Sequence, residues 1–217
     1  MSGVLVVGAG GIGAPVLRIL REAGVAGITV VDPDRVALEN LHRQILFGDA
    51  DVGRSKAEVA AARLGVEAIA TRLDDRNGSG LVAGRACVVD GTDNFADKYR
   101  INDLCVAAGV PLVHAGAAGF SGQVLLVLPG GPCLRCLLPE PPDAATDECR
   151  LTGIFGPVAG LVAALAASEV LALLGGEGRP NGVLLVDLAS GRLSRARLDP
   201  CRGCPCTFSG APVAHLR

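Results

Sequence analysis

The sequence predicts an α/β fold, a doubly wound and mainly parallel sheet with an antiparallel C-terminal extension. Three observations carry that prediction. Short apolar runs alternate with amphipathic stretches across Gly-rich breaks, the pattern of βαβ units. The first run, Val4-Leu5-Val6-Val7, leads directly into Gly8-Ala9-Gly10-Gly11-Ile12-Gly13. The second, Ile28-Thr29-Val30-Val31, closes on Asp32. A strand, a glycine turn and a helix start bring free N–H groups and the positive end of a helix dipole to a phosphate. A carboxylate ending the second strand can accept from ribose hydroxyls. Gly8, Gly10, Gly11, Gly13 and Asp32 are therefore candidate nucleotide-binding residues, although a glycine loop alone does not name the nucleotide.

The elements follow in order. Strand one is Val4–Val7, and residues 14–23 form a helix that ends at Gly24; Pro15 is tolerated near its start. Residues 28–31 are strand two, 55–64 a helix, 68–73 strand three, Cys87–Asp90 strand four, 96–108 a helix and 112–115 strand five. This half is Rossmann-like. After Gly122 the pattern changes: 123–128 reads as a strand, 138–149 as a polar loop with Pro139, Pro141 and Pro142, and 183–186 with 193–197 as a hairpin-like pair. That loop lacks the apolar content to pack and is expected to be a mobile lid. The stretch 158–174 is apolar and alanine-rich but carries Ser168 and Glu169, so it is expected to be a core helix and not a membrane span.

With 217 residues the chain is expected to be one domain, residues 1–217, with a nucleotide-binding half at 1–121 and a second half at 122–217. The net charge of −2, with Lys56 and Lys98 the only lysines against 18 arginines, gives no sign of a nucleic-acid surface. No basic start followed by an apolar core marks a secretory signal. A cytoplasmic location is the expectation, which argues against reading the eight cysteines as a disulfide framework.

Between Asp32 and strand three lie Asn40, Arg43, Gln44 and Lys56. A redox dinucleotide does not need this set. A nucleoside triphosphate does, because fixed cations offset its β- and γ-phosphate charge and then stabilise departing pyrophosphate. Ordinary surface charge is the plainer account of Arg43 and Lys56, but their place near strand ends on the ligand side favours the phosphate role. Strand four ends in Asp90-Gly91-Thr92-Asp93-Asn94. Asp93 is the candidate for Mg²⁺, Asn94 the better N-cap for the next helix, and Asp90 the anchor of the turn.

Two Cys-x-x-Cys pairs, Cys133 with Cys136 and Cys201 with Cys204, suit a closed tetrahedral Zn²⁺ site. Cys206 is surplus, and the second pair can instead use it with Cys204 or Cys201. A redox dithiol is the alternative, but the first pair precedes a proline loop where a redox pair would start a helix. Cys149 stands beside Arg150 in the polar loop, where it is either a nucleophile or a plain loop thiol. Cys87 and Cys105 read as core packing. His42 adjoins the phosphate residues, while His114 and His215 read as structural or incidental.

Taken together, the glycine loop, Asp32, Asn40-Leu41-His42-Arg43-Gln44, Lys56 and Asp90-Gly91-Thr92-Asp93-Asn94 make the chain resemble the ThiF/MoeB/HesA family, bacterial relatives of ubiquitin-activating enzymes, and ThiF most of all. The resemblance covers almost the whole chain. It implies phosphate contacts from Asn40, Arg43 and Lys56, Mg²⁺ on Asp93, ribose on Asp32 and a zinc site on the cysteine pairs. It further implies that Cys149 occupies the place of a sulfur-transfer cysteine, although Leu151 intervenes before Thr152. The implied activity is ATP-dependent adenylation of the C-terminal carboxylate of a small ubiquitin-like sulfur-carrier protein, in a pathway of thiamin thiazole or molybdopterin type. Its partners would be that carrier, a persulfide-carrying sulfur donor and a second copy of the chain in a homodimer, with residues 122–217 as the carrier-binding half. The family also carries an N-terminal helical segment whose arginine reaches the ATP site across the dimer. Strand one starting at Val4 leads to the expectation of a shortened start, a substitute arginine or weakened adenylation. The rival readings are a nicotinamide-dependent oxidoreductase, a non-catalytic carrier-binding module, and an enzyme acting on the carrier-like end of a peptide antibiotic.

Overall fold

The structure is a computed structural model that describes residues 3–141, 153–177 and 181–207. Five strands are parallel: β1 (Val4–Val7), β2 (Thr29–Val31), β3 (Glu67–Ile69), β4 (Cys87–Asp90) and β5 (Leu112–Ala118). Then β6 (Ser121–Val127), β7 (Gly182–Asp187) and β8 (Arg192–Arg197) add on in antiparallel register. All eight strands form one sheet in the order β3-β2-β1-β4-β5-β6-β7-β8.

Side chains alternate across the strands, so each strand feeds two cores. Val4, Val6, Val30, Val89 and Val113 face a cluster with helices α1 (Gly13–Glu22), α2 (Lys56–Leu64) and α6 (Gly156–Leu174). Leu5, Val7, Val31, Val88 and Leu112 face the other cluster, with α3 (Gly78–Val82), α4 (Phe95–Ala108) and α5 (Leu134–Leu137). Burying each such side chain contributes about 1.5–3 kcal/mol, which is why these strands are apolar on both faces. The chain leaves β1 towards β2 and β3, then crosses to β4 and β5 on the other side of β1. Strand order therefore reverses between β1 and β4, and the crevice at their carboxyl ends is where such sheets bind ligands.

Helix α6, 19 residues long, is long and apolar enough to cross a membrane by length and composition alone, with a mean hydropathy of 2.0 over an 18-residue window. It lies instead against α1, β5 and β6, with Val158, Val162, Ala166 and Val170 buried in the first cluster. Its alanines keep the contact face small, so the helix seats directly on the sheet.

Several boundaries differ from the sequence expectation. Strand β3 ends at Ile69, not at residue 73, because it is the sheet edge with Glu67 and Ala68 exposed and, among the described residues, no outer strand to extend it. Leu73 then turns inward and is buried in the second cluster. Strand β5 runs to Ala118, past the end of β4, because β6 pairs with it along its whole length. Helices α3 and α5 were not expected. The Gly78-Ser79-Gly80 start of α3 has poor helix propensity, but Asp74 and Asn77 cap each other, each side chain accepting from the other's backbone N–H. Of the expected loop at 138–149, only residues 138–141 are described, so the lid expectation falls outside the described residues.

Candidate active site

A cavity opens at the carboxyl ends of the central strands, and Gly8, Gly10, Gly11, Asp32, Arg43, Lys56 and Asp93 all line it. Gly8 sits at φ +91°, a conformation that favours glycine. Gly13 does not line the cavity. A Cβ there would stand 1.8 Å from the Gly8 carbonyl oxygen, so its role is to let α1 start directly beneath the loop. Four helix N-termini converge on the cavity, marked by Ile12 before α1, Lys56 opening α2, Asn94 before α4 and Ala159 in the first turn of α6. The positive ends of these helix dipoles together favour an anion.

Asp32 braces the loop it was expected to serve. Its Oδ2 accepts from the Ala9 N–H at 2.6 Å and its Oδ1 from the Asp34 N–H at 2.7 Å. Burial raises its carboxyl above the usual range, against the pull of those two N–H donors and of Lys56. A carboxylate has about four acceptor positions, so two bonds leave capacity for ribose hydroxyls. Lys56 is buried, and its Nζ donates to Asp34 Oδ2 at 2.9 Å. Arg43 lies beside Gly11, with a 3.3 Å contact between its guanidinium and His42 Nε2; His42 Nδ1 is 2.7 Å from the Glu39 carbonyl oxygen. Gln44 is buried at the cavity wall and its Oε1 has no partner among the described residues. Asn40 is not among the lining residues. Its carbonyl accepts from the Arg43 and Gln44 N–H groups and so sets the turn that aims those two side chains.

Asp93 is exposed at the cavity rim between two residues that are otherwise engaged. Asn94 Oδ1 accepts from the Asp97 N–H at 2.9 Å and caps α4, as the sequence predicts. Asp90 anchors the turn through the Thr92 N–H at 3.0 Å and the Thr92 hydroxyl at 2.6 Å. Its other oxygen meets His114 Nδ1 at 2.7 Å. Burial would raise the Asp90 carboxyl, but the Lys98 ammonium and His114 outweigh it and hold the group well below the usual carboxylate range. Asp34, Arg72, Asp97 and Lys98 also line the cavity, and sequence reasoning missed them. Arg72 was assigned to a strand that stops short of it, and Lys98 sits on a helix face that reads as ordinary from its spacing. The signal for Lys98 was its rarity, as one of only two lysines in the chain.

A second constellation lies away from this cavity. The sulfurs of Cys133, Cys136, Cys204 and Cys206 lie within 4.8 Å of one another. Two of the separations are 3.6 Å, Cys133 to Cys204, and 3.5 Å, Cys136 to Cys206. The S···S edge of a tetrahedral zinc–thiolate site is about 3.8 Å, so this donor set fits Zn²⁺. Cys201 was expected as the third ligand and is not part of the group. It is exposed; its N–H donates to Cys136 Sγ at 3.3 Å and its thiol to the Cys136 carbonyl at 3.5 Å, which spends it on holding α5. Cys206 takes its place, carried inward by the turn at Pro205–Thr207. Helix α5 is clamped to α4 by Asn102 Oδ1, which accepts from the Leu134 N–H, and by paired bonds from Arg135 to Asp103 at 2.8 and 2.7 Å. Cys149 lies outside the described residues. Cys87 and Cys105 are core residues whose thiols burial pushes up, that of Cys87 to about 12.

Residues 1–206 match the ThiF family. The chain belongs to that family. A SAMP-activating enzyme E1 from Haloferax volcanii is 44% identical over 185 residues, covering 82% of this chain and 68% of that protein. A sulfur carrier protein adenylyltransferase from Thermus thermophilus is 42% identical over 217 residues, covering 92% of this chain and 80% of that one. Among solved structures, E. coli MccB with ATP is similar with a TM-score of 0.81 at 26% identity, covering 95% of this chain and 67% of MccB. The ThiF match takes in both the cavity and the four-cysteine group, whose last sulfur belongs to Cys206.

Proposed function

We propose that this ThiF-family chain is an ATP-dependent adenylyltransferase that activates the C-terminal carboxylate of a small ubiquitin-like sulfur-carrier protein and releases pyrophosphate. The observation that carries this reading is the convergence of the glycine loop, Asp32, Arg43, Lys56 and Asp93 on one cavity at the point where strand order reverses. A dinucleotide oxidoreductase would use the loop and Asp32 but has no use for two cations and an acidic rim residue in the same cavity. The relative named a sulfur carrier protein adenylyltransferase stands at 42% identity over 92% of this chain, and this favours a carrier protein as substrate.

The chemistry needs no general base, because a carboxylate is already a competent nucleophile at neutral pH. One carboxylate oxygen bonds to the α-phosphorus, the bond from that phosphorus to the bridging oxygen breaks, and pyrophosphate leaves with the electron pair. Catalysis is then positioning and charge stabilisation. Asp32 orients the ribose, the glycine-loop amides and helix N-termini receive the phosphates, and Arg43 and Lys56 balance the charge that grows on departing pyrophosphate. Lys56 is already held by Asp34, so little ordering is required of it. Asp93, exposed and with an acceptor-only carboxylate, fits as a ligand to Mg²⁺, which when bound neutralises phosphate charge. Cys133, Cys136, Cys204 and Cys206 would hold Zn²⁺ as a structural cross-link between α5 and the chain end. We further assign sulfur relay from a persulfide-carrying donor to Cys149 and expect the enzyme to work as a homodimer. Replacing Cys149 with Ser is expected to abolish thiocarboxylate formation, and unchanged formation would remove that role; sedimentation analysis tests the dimer.

Adenylation itself is tested by intact-mass analysis of each ubiquitin-like carrier of the source organism after incubation with ATP, Mg²⁺ and the protein. The expected result is a carrier that gains one AMP and is converted to its hydroxamate by hydroxylamine. A protein that binds NADH and leaves every carrier unmodified would overturn the reading.

A further inference from the structure

Lys98 lies in the first turn of α4, faces the gap between β4 and β5, and is only 7% exposed. A lysine is rarely this deep unless its charge is fully matched. Here Asp90 supplies the opposite charge, but at a distance that leaves the hydrogen-bond match loose. Its Nζ donates to the Ala115 carbonyl at 2.8 Å and stands 3.5 Å from Asp90 Oδ2, beyond the ~2.7–3.2 Å of a well-made N–H···O bond. Asp90 is already served by closer donors, His114 Nδ1 and the N–H and hydroxyl of Thr92. An ammonium carries three donors, and this one makes a single close bond among the described residues. The same side chain lines the cavity beside Thr92, Asp93, Gly116 and Ala117. A cation in a low-dielectric wall with unused donors attracts an anion from the open side.

The sheet order identifies that anion. Arg43 and Lys56 follow β2, on one side of the glycine loop, and in the adenylation reading they serve the end of the triphosphate that departs. Lys98 stands across the loop from them, where β5 runs on beyond β4. An in-line displacement brings its nucleophile to the phosphorus from the side opposite the leaving group, so the second anion of the reaction arrives on the Lys98 side. We propose that Lys98 receives the attacking carboxylate, holding one of its oxygens while the other bonds to the α-phosphorus, and then binds the acyl oxygen of the product. In that step the carboxylate oxygen–phosphorus bond forms and the bond to pyrophosphate breaks. No proton moves in this step. The role rests on the adenylation reading and adds a substrate contact to it.

The test uses two defined ligands in calorimetry: 5′-O-(N-glycyl)sulfamoyladenosine, which carries an acyl oxygen beside a phosphate mimic, and AMP, which carries the phosphate charge without it. Wild-type protein is expected to prefer the glycyl compound. Lys98→Gln, which can still donate to Ala115, is expected to lose roughly tenfold to hundredfold in affinity for the glycyl compound while AMP binding holds within about twofold. Equal losses for both ligands would mean that Lys98 serves the nucleotide or the fold, and no loss would mean that it serves neither; each overturns the proposal. Should Lys98→Gln not remain folded by thermal melting, Lys98→Arg is the second arm, since a planar fork does not reproduce a point charge in that slot. It is expected to shift the ratio of the two affinities the same way, and an unchanged ratio overturns the proposal. A wild-type protein with no preference for the glycyl compound would instead count against the adenylation reading itself.

Discussion

Arg43 and Lys56 carry the same charge but are held differently, and the difference predicts separate consequences of losing them. Lys56 is buried against Asp34, whereas the Arg43 side chain makes its one hydrogen-bond contact among the described residues with His42. Arg43→Ala is therefore expected to shift unfolding free energy by no more than about 0.5 kcal/mol while lowering the adenylation rate by about a hundredfold or more; denaturant melts and rapid-quench kinetics check the two halves. Asp90 and His114 set the pH response. Burial, and then the Lys98 charge, push the His114 ring below its ordinary value despite the Asp90 bond. Between that lowered value and the unfolded one near pH ~6.5 the unfolded chain binds more protons, so stability rises with pH there. Asp90, held low, contributes stability that is complete above its unfolded value of about 3.9 and is lost as pH falls towards the folded one. The melting temperature is thus expected to fall from about pH 7 to about pH 5, and His114→Asn to flatten that slope; a slope unchanged by the substitution would contradict the assignment. At this scale much of the site was legible, because Asp32, Arg43, Lys56 and Asp93 belong to motifs whose chemistry is local. Lys98 was not, since its meaning depends on what β4 and β5 bring to it.

The elements that sequence reading placed best are those buried on both faces. Strands β1 and β4 were placed at their observed ends, because apolar runs between Gly and Asp punctuation have no other interpretation. Edge strand β3 was overextended, and α3 and α5 were missed, because their shapes come from tertiary contacts and from reciprocal capping. Gly13→Ala forces a Cβ to within 1.8 Å of a backbone oxygen, which must move the start of α1 away from the loop. A cost of about 1–3 kcal/mol in unfolding free energy is expected, with loss of ATP binding by calorimetry; full ATP affinity would mean that the close approach is dispensable. In the cysteine group, spacing alone left Cys201 and Cys206 as competitors, and the turn at Pro205–Thr207 decides between them. Metal analysis is expected to find one zinc per chain in Cys201→Ser and a loss of zinc, with a lower melting temperature, in Cys206→Ser. The reverse pattern would restore the Cys201 ligand set.

On the scale of the whole molecule, one continuous sheet links two kinds of construction. The parallel strands end in loops that build a phosphate cavity, and the antiparallel strands carry the chain on to the four-cysteine group. The alternation of strands and helices was readable from periodicity, and the reversal of strand order followed from it. Convergence of residues from four strand ends on one cavity was not readable from spacing, because only the sheet fixes those distances. The ThiF family match spans both constructions, and the proposed adenylation places ATP in the cavity. Exchange of labelled pyrophosphate into ATP measures that central step directly. The account predicts exchange that requires a ubiquitin-like carrier with an intact C-terminal carboxylate and that disappears in Asp93→Ala. Exchange without any carrier, or none with every carrier of the source organism, would contradict it.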